Sequence, residues 1–174
     1  MIAAIVAVDE NWGIGNKGEL LLKIPDDLKR FKKFTRYHTV IMGRKTYESI
    51  PEAPLSDRWN IVVTHDPDVI NQPGKPINLI AVNYEQALDI LSNPLFCKDR
   101  SIYIIGGSQI YSKFLKYCKR VFVTKIYHSF EADTYFPNLS ESSDWALVEG
   151  STMQEYERYK YQYLGYLNMK VESL

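Results

Sequence analysis

Cysteine and histidine are scarce in this 174-residue sequence, which contains two cysteines and three histidines. Cys97 and Cys118 lack the spacing of a metal or redox motif, so we interpret both as reduced core residues of a cytosolic protein. His38, His65 and His128 show neither metal-ligand spacing nor the context of a serine or cysteine nucleophile. The sequence therefore predicts no metal site.

Net charge and long apolar runs are also absent. Basic and acidic residues both number 21, so the overall charge does not favour nucleic acid or an acidic membrane as a partner. No apolar segment reaches the length of a membrane span, and the apolar run after Met1 has no basic start or cleavage site. We expect one cytoplasmic domain over residues 1–174, a monomer that binds neither nucleic acid nor membrane.

What the chain does contain is a series of short apolar runs that alternate with helical patterns. Such runs are typical of strands that are covered on both faces. We predict strands at 2–8, 39–42, 59–64, 77–82, 102–105, 120–126, 145–150 and 159–167, and helices at 26–36, 43–50, 84–91 and from 108 to near 116. No helix separates the last strands, and the tyrosines of 159–167 alternate with polar residues, as in antiparallel sheet packing. The predicted fold class is α/β, with a central mixed, mostly parallel sheet flanked by helices and ending in antiparallel strands.

The segment 9–18 follows the first strand and contains three glycines together with other turn-forming residues. This composition predicts a loop, either a flexible lid or a long turn, in which Trp12 and Ile14 are exposed.

The predicted helix at 26–36 carries an acid on its apolar side. Pro25 and Asp26 favour a helix start. At about 100° per residue, Asp27 lies within about 60° of Phe31. The same rotation puts four cations on the other side: Lys29, Arg30, Lys32 and Lys33. Asp27 either meets hydrogen-bond donors in an apolar setting or is a second N-terminal acid interacting with the helix dipole, and this stretch alone favours neither.

Two junctions between a strand and a helix, at 42–46 and 105–109, contain the glycines that close backbone approach to a ligand requires. A helix N-terminus suits phosphate, so two such junctions in one sheet could hold a dinucleotide pyrophosphate. Arg44 and Lys45 would suit the extra phosphate of NADP. Two tight turns beside an exposed basic pair explain the same residues, because neither G-x-G-x-x-G nor a Walker pattern is present.

The order and spacing of several segments together resemble the dihydrofolate reductase family. The segments are 5–8 with 13–15, 24–32, 40–50, 55–58, 105–111 and 133–137. They span nearly the whole chain, and the 40–50 segment combined with an aspartate in 24–31 is highly specific. The resemblance implies reduction of 7,8-dihydrofolate to 5,6,7,8-tetrahydrofolate, with hydride transfer from NADPH to C6 and protonation at N5.

The resemblance also assigns substrate-binding residues. Asp27 resembles the single acid of the family's pterin pocket, which accepts hydrogen bonds from N3 and the 2-amino group, and Thr124 would help to position it. Arg58 would pair with the glutamate carboxylate. The walls around the pterin and aminobenzoyl rings would be Ile5, Val6, Leu28, Phe31, Ile50, Leu55, Ile105 and Tyr111. No direct proton donor to N5 is evident, so water admitted by the 9–22 loop would supply that proton.

The NADPH-binding residues implied by the resemblance form three groups. Ala7 and Ile14 would meet the nicotinamide end, close to Ile105 and Tyr111. The phosphates would be held by Gly43, Arg44, Lys45 and Thr46 and by Gly106, Gly107, Ser108, Gln109 and Ile110. The adenosine would be flanked by Val63, Thr64 and His65, and Thr134 is assigned to the cofactor as well.

The chain departs from the family pattern at three places. Leu21 and Leu22 replace a proline–tryptophan pair, and Leu22 stands where the tryptophan orders water beside the pterin, so the rate and the affinity for antifolate inhibitors depend on this position. Ser108 replaces a glycine, and Gln109 stands where some members carry a cation. Two alternatives stay open: reduction of another pterin or a ribosylaminopyrimidine on the same fold, and a non-catalytic module that binds nucleotide or pterin.

Overall fold

The computed structural model describes residues 1–93 and 99–174. In this part of the chain the strands are β1 (Ile2–Val8), β2 (Gly13–Asn16), β3 (Glu19–Leu20), β4 (Thr39–Gly43), β5 (Trp59–Val63), β6 (Leu79–Val82), β7 (Ile102–Gly106), β8 (Arg120–Ile126), β9 (Thr134–Tyr135), β10 (Trp145–Gly150), β11 (Gln154–Tyr156) and β12 (Tyr159–Asn168). The helices are α1 (Pro25–Thr35), α2 (Arg44–Ser49), α3 (Tyr84–Ser92) and α4 (Ser108–Phe114), with short 3₁₀ turns at Pro67–Val69, Leu115–Tyr117 and Leu139–Glu141.

The central sheet has the strand order β10-β12-β8-β1-β7-β4-β5-β6, and β11 pairs with β12. All pairs from β8 to β6 are parallel, whereas β12 pairs antiparallel with β8, β10 and β11. The predicted fold class is therefore confirmed. Because the parallel strands share one direction, their carboxyl ends lie along one edge of the sheet, where ligands bind in open α/β folds.

The strands are apolar at consecutive positions because helices cover both faces of the sheet. In β1, Ala3 and Ile5 face a core cluster that the rings of Phe31 and Phe34 from α1 pack against. The neighbouring residues Ala4, Val6 and Val8 belong to a second cluster, which includes Leu91 of α3 and Phe114 of α4. Each apolar side chain buried in this way contributes about 1.5–3 kcal/mol to folding.

The segment after β1 differs from the predicted loop. Gly13–Asn16 forms β2, which pairs with β3 and β9 in a separate three-stranded sheet. Trp12 is only 5 % exposed and Ile14 is partly buried against a core cluster, contrary to the prediction that both are exposed. Its indole ring stacks on Phe136 at 6.2 Å between ring centroids and meets the edge of Tyr166 at 6.0 Å. The segment 9–22 is thus anchored at one end by a buried aromatic side chain.

The other predictions about the core agree with the structure where it is described. The tyrosines of β12 pack in the sheet, and Tyr161 is 2 % exposed. Cys118 is a free, buried thiol, whereas Cys97 lies outside the described residues. Within residues 1–93 and 99–174, no helix has the length and apolar character needed to span a membrane.

Candidate active site

Asp27 lies in the first turn of α1, partly buried, and its carboxylate faces β8. The hydroxyl of Thr124, which is 1 % exposed, donates a hydrogen bond to Oδ1 of Asp27 at 2.5 Å. Asp26, by contrast, is exposed and pairs with Lys29 of the same helix at 2.9 Å. The two neighbouring acids therefore have different environments, and Asp27 is the one held toward the interior.

The ionisation of Asp27 is set by opposing effects. Burial raises the pKa of this carboxyl above its ordinary value, while the hydrogen bond from Thr124 and the positive charge of Arg30 lower it. An acceptor held in this way suits a ligand that presents two N–H donors side by side.

The position of Arg30 corrects the prediction that all cations of this helix face away from the core. Its guanidinium lies over the ring of Tyr163 at 4.3 Å and over the ring of Phe34 at 4.9 Å. Arg30 is partly buried, whereas Leu28, expected on the apolar face, is 46 % exposed. The buried side of α1 is therefore rotated toward Asp27, Phe34 and Arg30.

Five of the eight expected wall residues lie on the face of the sheet that α1 covers, whereas Val6 and Tyr111 belong to the cluster on the opposite face and Leu28 is exposed. Ile5 and Leu55 belong to one core cluster, against which Phe31, Ile50 and Ile105 pack. Val6 is 7 % exposed and lies on the opposite face, in the second cluster.

Arg58 is fixed at the far end of this apolar wall. It is 7 % exposed, its Nη1 donates to the hydroxyl of Thr35 at 3.0 Å, and its Nε donates to the carbonyl of Ser56 at 2.8 Å. The guanidinium lies 6.0 Å from the ring centroid of Phe31. Asn60, which sequence reasoning missed, anchors the preceding loop through hydrogen bonds to Leu55. A cation held this rigidly suits a carboxylate at the end of an aromatic ligand.

The two glycine junctions lie side by side at the carboxyl ends of the adjacent strands β4 and β7. A Cβ atom at Gly43 would lie 3.1 Å from Cγ1 of Ile110 and 3.9 Å from the backbone nitrogen of Gly107. A Cβ atom at Gly107 would lie 3.3 Å from the hydroxyl of Thr46. Neither α2 nor α4 is capped by a side chain at its start. This cradle of backbone N–H groups, which we call the glycine edge (Gly43, Gly106 and Gly107), fits the phosphates of a dinucleotide.

The remaining residues expected at a cofactor lie near the glycine edge. Val63 ends β5 opposite Gly43 and is followed by Thr64 and the exposed His65. Lys45 is exposed on α2, while Arg44 donates to Glu48 at 2.8 Å in a surface pair that costs little to break. Ser108 and Gln109 form the first turn of α4.

Tyr111 connects this edge to β1. Its hydroxyl donates to the carbonyl oxygen of Ile5 at 2.8 Å, and burial raises the pKa of the phenol far above its ordinary value. Gly106 has φ +116°, and a Cβ atom there would lie 3.1 Å from the Tyr111 ring. Tyr111 is thus a neutral, fixed part of the wall between the two glycine junctions and β1.

Leu22 lies on the other side of β1. It packs against the buried cluster of Ile24, Ile126 and Tyr161. Leu22 also lines a narrow cleft whose other residues are Ala7, Val8, Asp9, Gly13, Ile14, Leu20, Leu21 and Ile126. The structure therefore brings Leu22, Ala7 and Ile14 together.

The 9–22 segment is held by two aspartates that sequence reasoning missed. The buried carboxylate of Asp9 accepts hydrogen bonds from the backbone N–H groups of Asn11, Gly13 and Phe130 at 2.8–3.0 Å. Asp133 accepts from the backbone N–H of Lys17 at 2.8 Å and from the hydroxyl of Thr134 at 2.7 Å, and both bonds lower its pKa. Thr134 thus lies at the contact between two loops. The acids in the turn-rich segments 9–18 and 131–137 were the available signal, because turn aspartates commonly bind backbone N–H groups.

Comparisons with known proteins agree with this geometry. The sequence model of the family described as Dihydrofolate reductase matches residues 1–168. The chain is 42 % identical over 168 residues to dihydrofolate reductase of Bacillus subtilis strain 168, covering 95 % of this chain and 94 % of that one. It is 35 % identical over 162 residues to dihydrofolate reductase of Staphylococcus haemolyticus, covering 93 % and 91 %.

A similar solved structure is that of dihydrofolate reductase from Enterococcus faecalis complexed with NADP(H) and RAB-propyl. Its TM-score is 0.79 at 31 % sequence identity, and the match covers 97 % of this chain and 96 % of the other.

Proposed function

The chain belongs to the dihydrofolate reductase family, and we propose on that premise that it reduces 7,8-dihydrofolate to 5,6,7,8-tetrahydrofolate with NADPH. The observation that carries the proposal is the hydrogen bond between Thr124 and Asp27 on the helix that also carries Phe31. An acid, an apolar wall and the fixed cation Arg58 follow one another along this face. That order matches a ligand with a pterin ring, an aromatic linker and a terminal carboxylate.

Asp27 binds the pterin ring in this proposal. Its ionised carboxylate accepts hydrogen bonds from ring N3 and the 2-amino group, and two parallel bonds fix the ring orientation as well as its position. Thr124 donates to the same carboxylate and restricts its rotation. Arg58 then pairs with the glutamate carboxylate, supported by its bonds to Thr35 and Ser56.

The glycine edge holds the cofactor phosphates. Support comes from the absence of a Cβ atom at Gly43 and Gly107, where such an atom would crowd Ile110 and Thr46. Arg44 and Lys45 are exposed cations close to this edge and suit the additional phosphate of NADP. NADPH, when bound, supplies the hydride that reduces C6.

Protonation at N5 uses water, because Asp27 binds the opposite part of the ring in this proposal. Residues of the 9–22 segment line the cleft beside Ala7, and the hydrogen bond from the backbone N–H of Lys17 to Asp133 ties this segment to the loop before β9. The protein therefore contributes orientation and a fixed electrostatic field around the reacting atoms.

The test is the loss of NADPH absorbance after addition of dihydrofolate, for the wild type, Asp27→Asn and the matched control Asp26→Asn. We expect methotrexate to stop the loss. Asp27→Asn should reduce turnover near neutral pH by about a hundredfold, with partial recovery as the pH falls, because a preorganised charge at the reacting ring is removed. Asp26→Asn should keep nearly full activity, since this acid is exposed.

Other results would redirect the proposal. Consumption of NADPH with another pterin or a ribosylaminopyrimidine, but not with dihydrofolate, would favour a different substrate. Binding of NADPH and dihydrofolate without turnover would favour a non-catalytic module. An unchanged rate for Asp27→Asn would remove Asp27 from the mechanism.

We also propose that the chain forms one domain over residues 1–174 and is active as a monomer in the cytoplasm. Two core clusters on the faces of one sheet support a single folding unit. Size-exclusion chromatography with light scattering across a range of concentrations tests the monomer, and activity that follows a dimer population would contradict it.

A further inference from the structure

Arg30 follows Asp27 by three residues on α1, so the two side chains lie on neighbouring positions of one helix face. Both are partly buried, in contrast to Lys29, Lys32 and Lys33, which are exposed. Among the basic residues of α1, Arg30 is therefore the one that the fold draws inward, on the helix face that carries Asp27.

Aromatic rings hold the guanidinium of Arg30 in place. Its central carbon lies 4.3 Å from the ring centroid of Tyr163 and 4.9 Å from that of Phe34, with Phe122 at 6.0 Å. Phe34 and Phe122 stack on each other at 4.7 Å. A planar cation between aromatic faces keeps its charge and loses most of its freedom to rotate away.

The hydrogen bonding of Arg30 is incomplete within the described residues. Its Nη1 is buried and has no hydrogen-bond partner among residues 1–93 and 99–174. An unpaired donor on a buried cation is unfavourable for folding. Packing alone does not explain such a residue, because an apolar side chain of similar length would fill the space without that penalty.

The pairing of β8 with β12 brings the partners of Asp27 and Arg30 next to each other. Thr124 of β8 and Tyr163 of β12 are cross-strand partners in the antiparallel register. Thr124 contacts Asp27, and Tyr163 contacts Arg30. Two residues of one helix face thus dock on two paired residues of the sheet, and the acid and the cation share a single partly buried corner. We call it the acid corner (Asp27, Arg30, Thr124 and Tyr163).

We propose that Arg30 is a positioning residue of the active site, a partly buried counter-charge that keeps the carboxylate of Asp27 ionised and directed at the ligand. This role rests on the proposed function only for its effect on substrate. The guanidinium stays charged at physiological pH even though burial lowers its pKa.

The charges around the corner agree with this assignment. Arg30 lowers the pKa of Asp27 against the larger effect of burial, and the aspartate in turn stabilises the charge on Arg30. Glu149 also interacts with Arg30 at longer range, but it is paired with Arg120 at 2.6 Å. The phenols facing Asp27, Tyr111 and Tyr163, have raised pKa values and stay neutral.

Arg30 should affect ligands with a neutral ring and ligands with a cationic ring differently. The pterin of dihydrofolate is neutral and needs an ionised Asp27 to accept its N–H groups. The 2,4-diaminopteridine ring of methotrexate is more basic and brings a positive charge to the carboxylate. Arg30 therefore favours the neutral ring and disfavours the cationic one, although both ligands carry the same benzoylglutamate tail.

The experiment compares wild type, Arg30→Met and Lys33→Met, which removes the same charge from an exposed position of the same helix. The titration of Asp27 is followed by carbon NMR of labelled aspartate in the ligand-free protein. We expect Arg30→Met to move the Asp27 midpoint to higher pH and Lys33→Met to leave it in place. Arg30→Lys, which keeps the charge, should restore the midpoint toward that of the wild type.

The second readout is the pair of dissociation constants for dihydrofolate and methotrexate. We expect Arg30→Met to weaken dihydrofolate and to leave methotrexate unchanged or tighter, so that their ratio changes by roughly tenfold, as for a charge removed from beside a partly buried carboxylate. A merely structural residue would weaken both ligands by the same factor. That equal loss, or an unmoved Asp27 midpoint, would overturn the proposal.

Should Arg30→Met fail to fold, Arg30→Gln gives the same comparison, because its amide is neutral and planar. The titration needs no substrate, so it decides the role of Arg30 even if the wild type proves not to reduce dihydrofolate.

Discussion

The acid corner and the glycine edge are built in opposite ways, although both lie toward the carboxyl ends of the parallel strands. At the acid corner, side chains carry the chemistry: Thr124 donates to Asp27, and the aromatic ring of Tyr163 packs on Arg30. At the glycine edge, the useful feature is the absence of side chains at Gly43 and Gly107, which leaves backbone N–H groups accessible.

This difference has an energetic basis. A charge in a partly buried corner needs a counter-charge and hydrogen bonds, because desolvation disfavours it. A backbone cradle carries only partial charges and is formed by the strand ends themselves. Substitutions at the acid corner should therefore change ionisation and stability, whereas substitutions at the glycine edge should act through steric exclusion.

The largest effect that separates the two regions is expected for Gly43→Ala. The new Cβ atom would lie 3.1 Å from Cγ1 of Ile110 and narrow the cradle. We expect NADPH to bind about tenfold more weakly, equivalent to about 1.4 kcal/mol, with little change in dihydrofolate binding without cofactor. Fluorescence titration measures both affinities.

Gly150→Ala is the control, because a Cβ atom there would lie at an ordinary 3.7 Å from Leu164. NADPH affinity that is unchanged in Gly43→Ala would show that the glycine edge is not the phosphate site.

The second effect is a rise in thermal stability near neutral pH for Asp27→Asn. Because burial raises the pKa of folded Asp27, its ionised form destabilises the fold at neutral pH, and this effect is lost as the pH falls below the folded pKa. The neutral asparagine should therefore raise Tm near pH 7, by about 2–4 °C for each 1 kcal/mol in a domain of this size. The difference should disappear in acid.

Thermal unfolding from acid to neutral pH measures this effect, with Asp26→Asn as the exposed control. A Tm that falls equally at all pH values would mean that the carboxylate stabilises the fold through its contacts alone.

Most of the fold could be predicted from sequence because its signals are local. Apolar runs predicted the parallel strands, and the strand–helix alternation predicted the mixed sheet. The small sheet of β2, β3 and β9 was missed because its strands are short and glycine-rich. One of its contacts joins Lys17 to Asp133, which lie 116 residues apart. Trp12 was wrongly expected to be exposed for the same reason, since its partner Phe136 is distant in sequence.

The acid corner shows more clearly what could not be predicted from the sequence. Helical rotation placed Asp27 on the inner face, and the family resemblance paired it with Thr124. The same rotation was wrong for Arg30 and Leu28, because it was centred on Phe31 while the buried side is centred closer to Asp27 and Phe34. A rotation of only about 50° in this centre moves a cation from solvent to the core. A hydrophobicity pattern also cannot show that aromatic rings will accept a guanidinium.

The smallest effect we predict is for Leu22→Trp, which asks whether the acid corner can accept one more side-chain donor. Leu22 packs against Ile126 and lines the cleft with Ala7, but it cannot donate a hydrogen bond. An indole there should tighten dihydrofolate or methotrexate by about threefold, through ring contact and its N–H group. Leu20→Trp is the matched control, because Leu20 is 51 % exposed on the same segment. Equal affinities in the wild type and Leu22→Trp would mean that position 22 faces the sheet cluster rather than the ligand, so that side-chain chemistry near the pterin is confined to the acid corner itself.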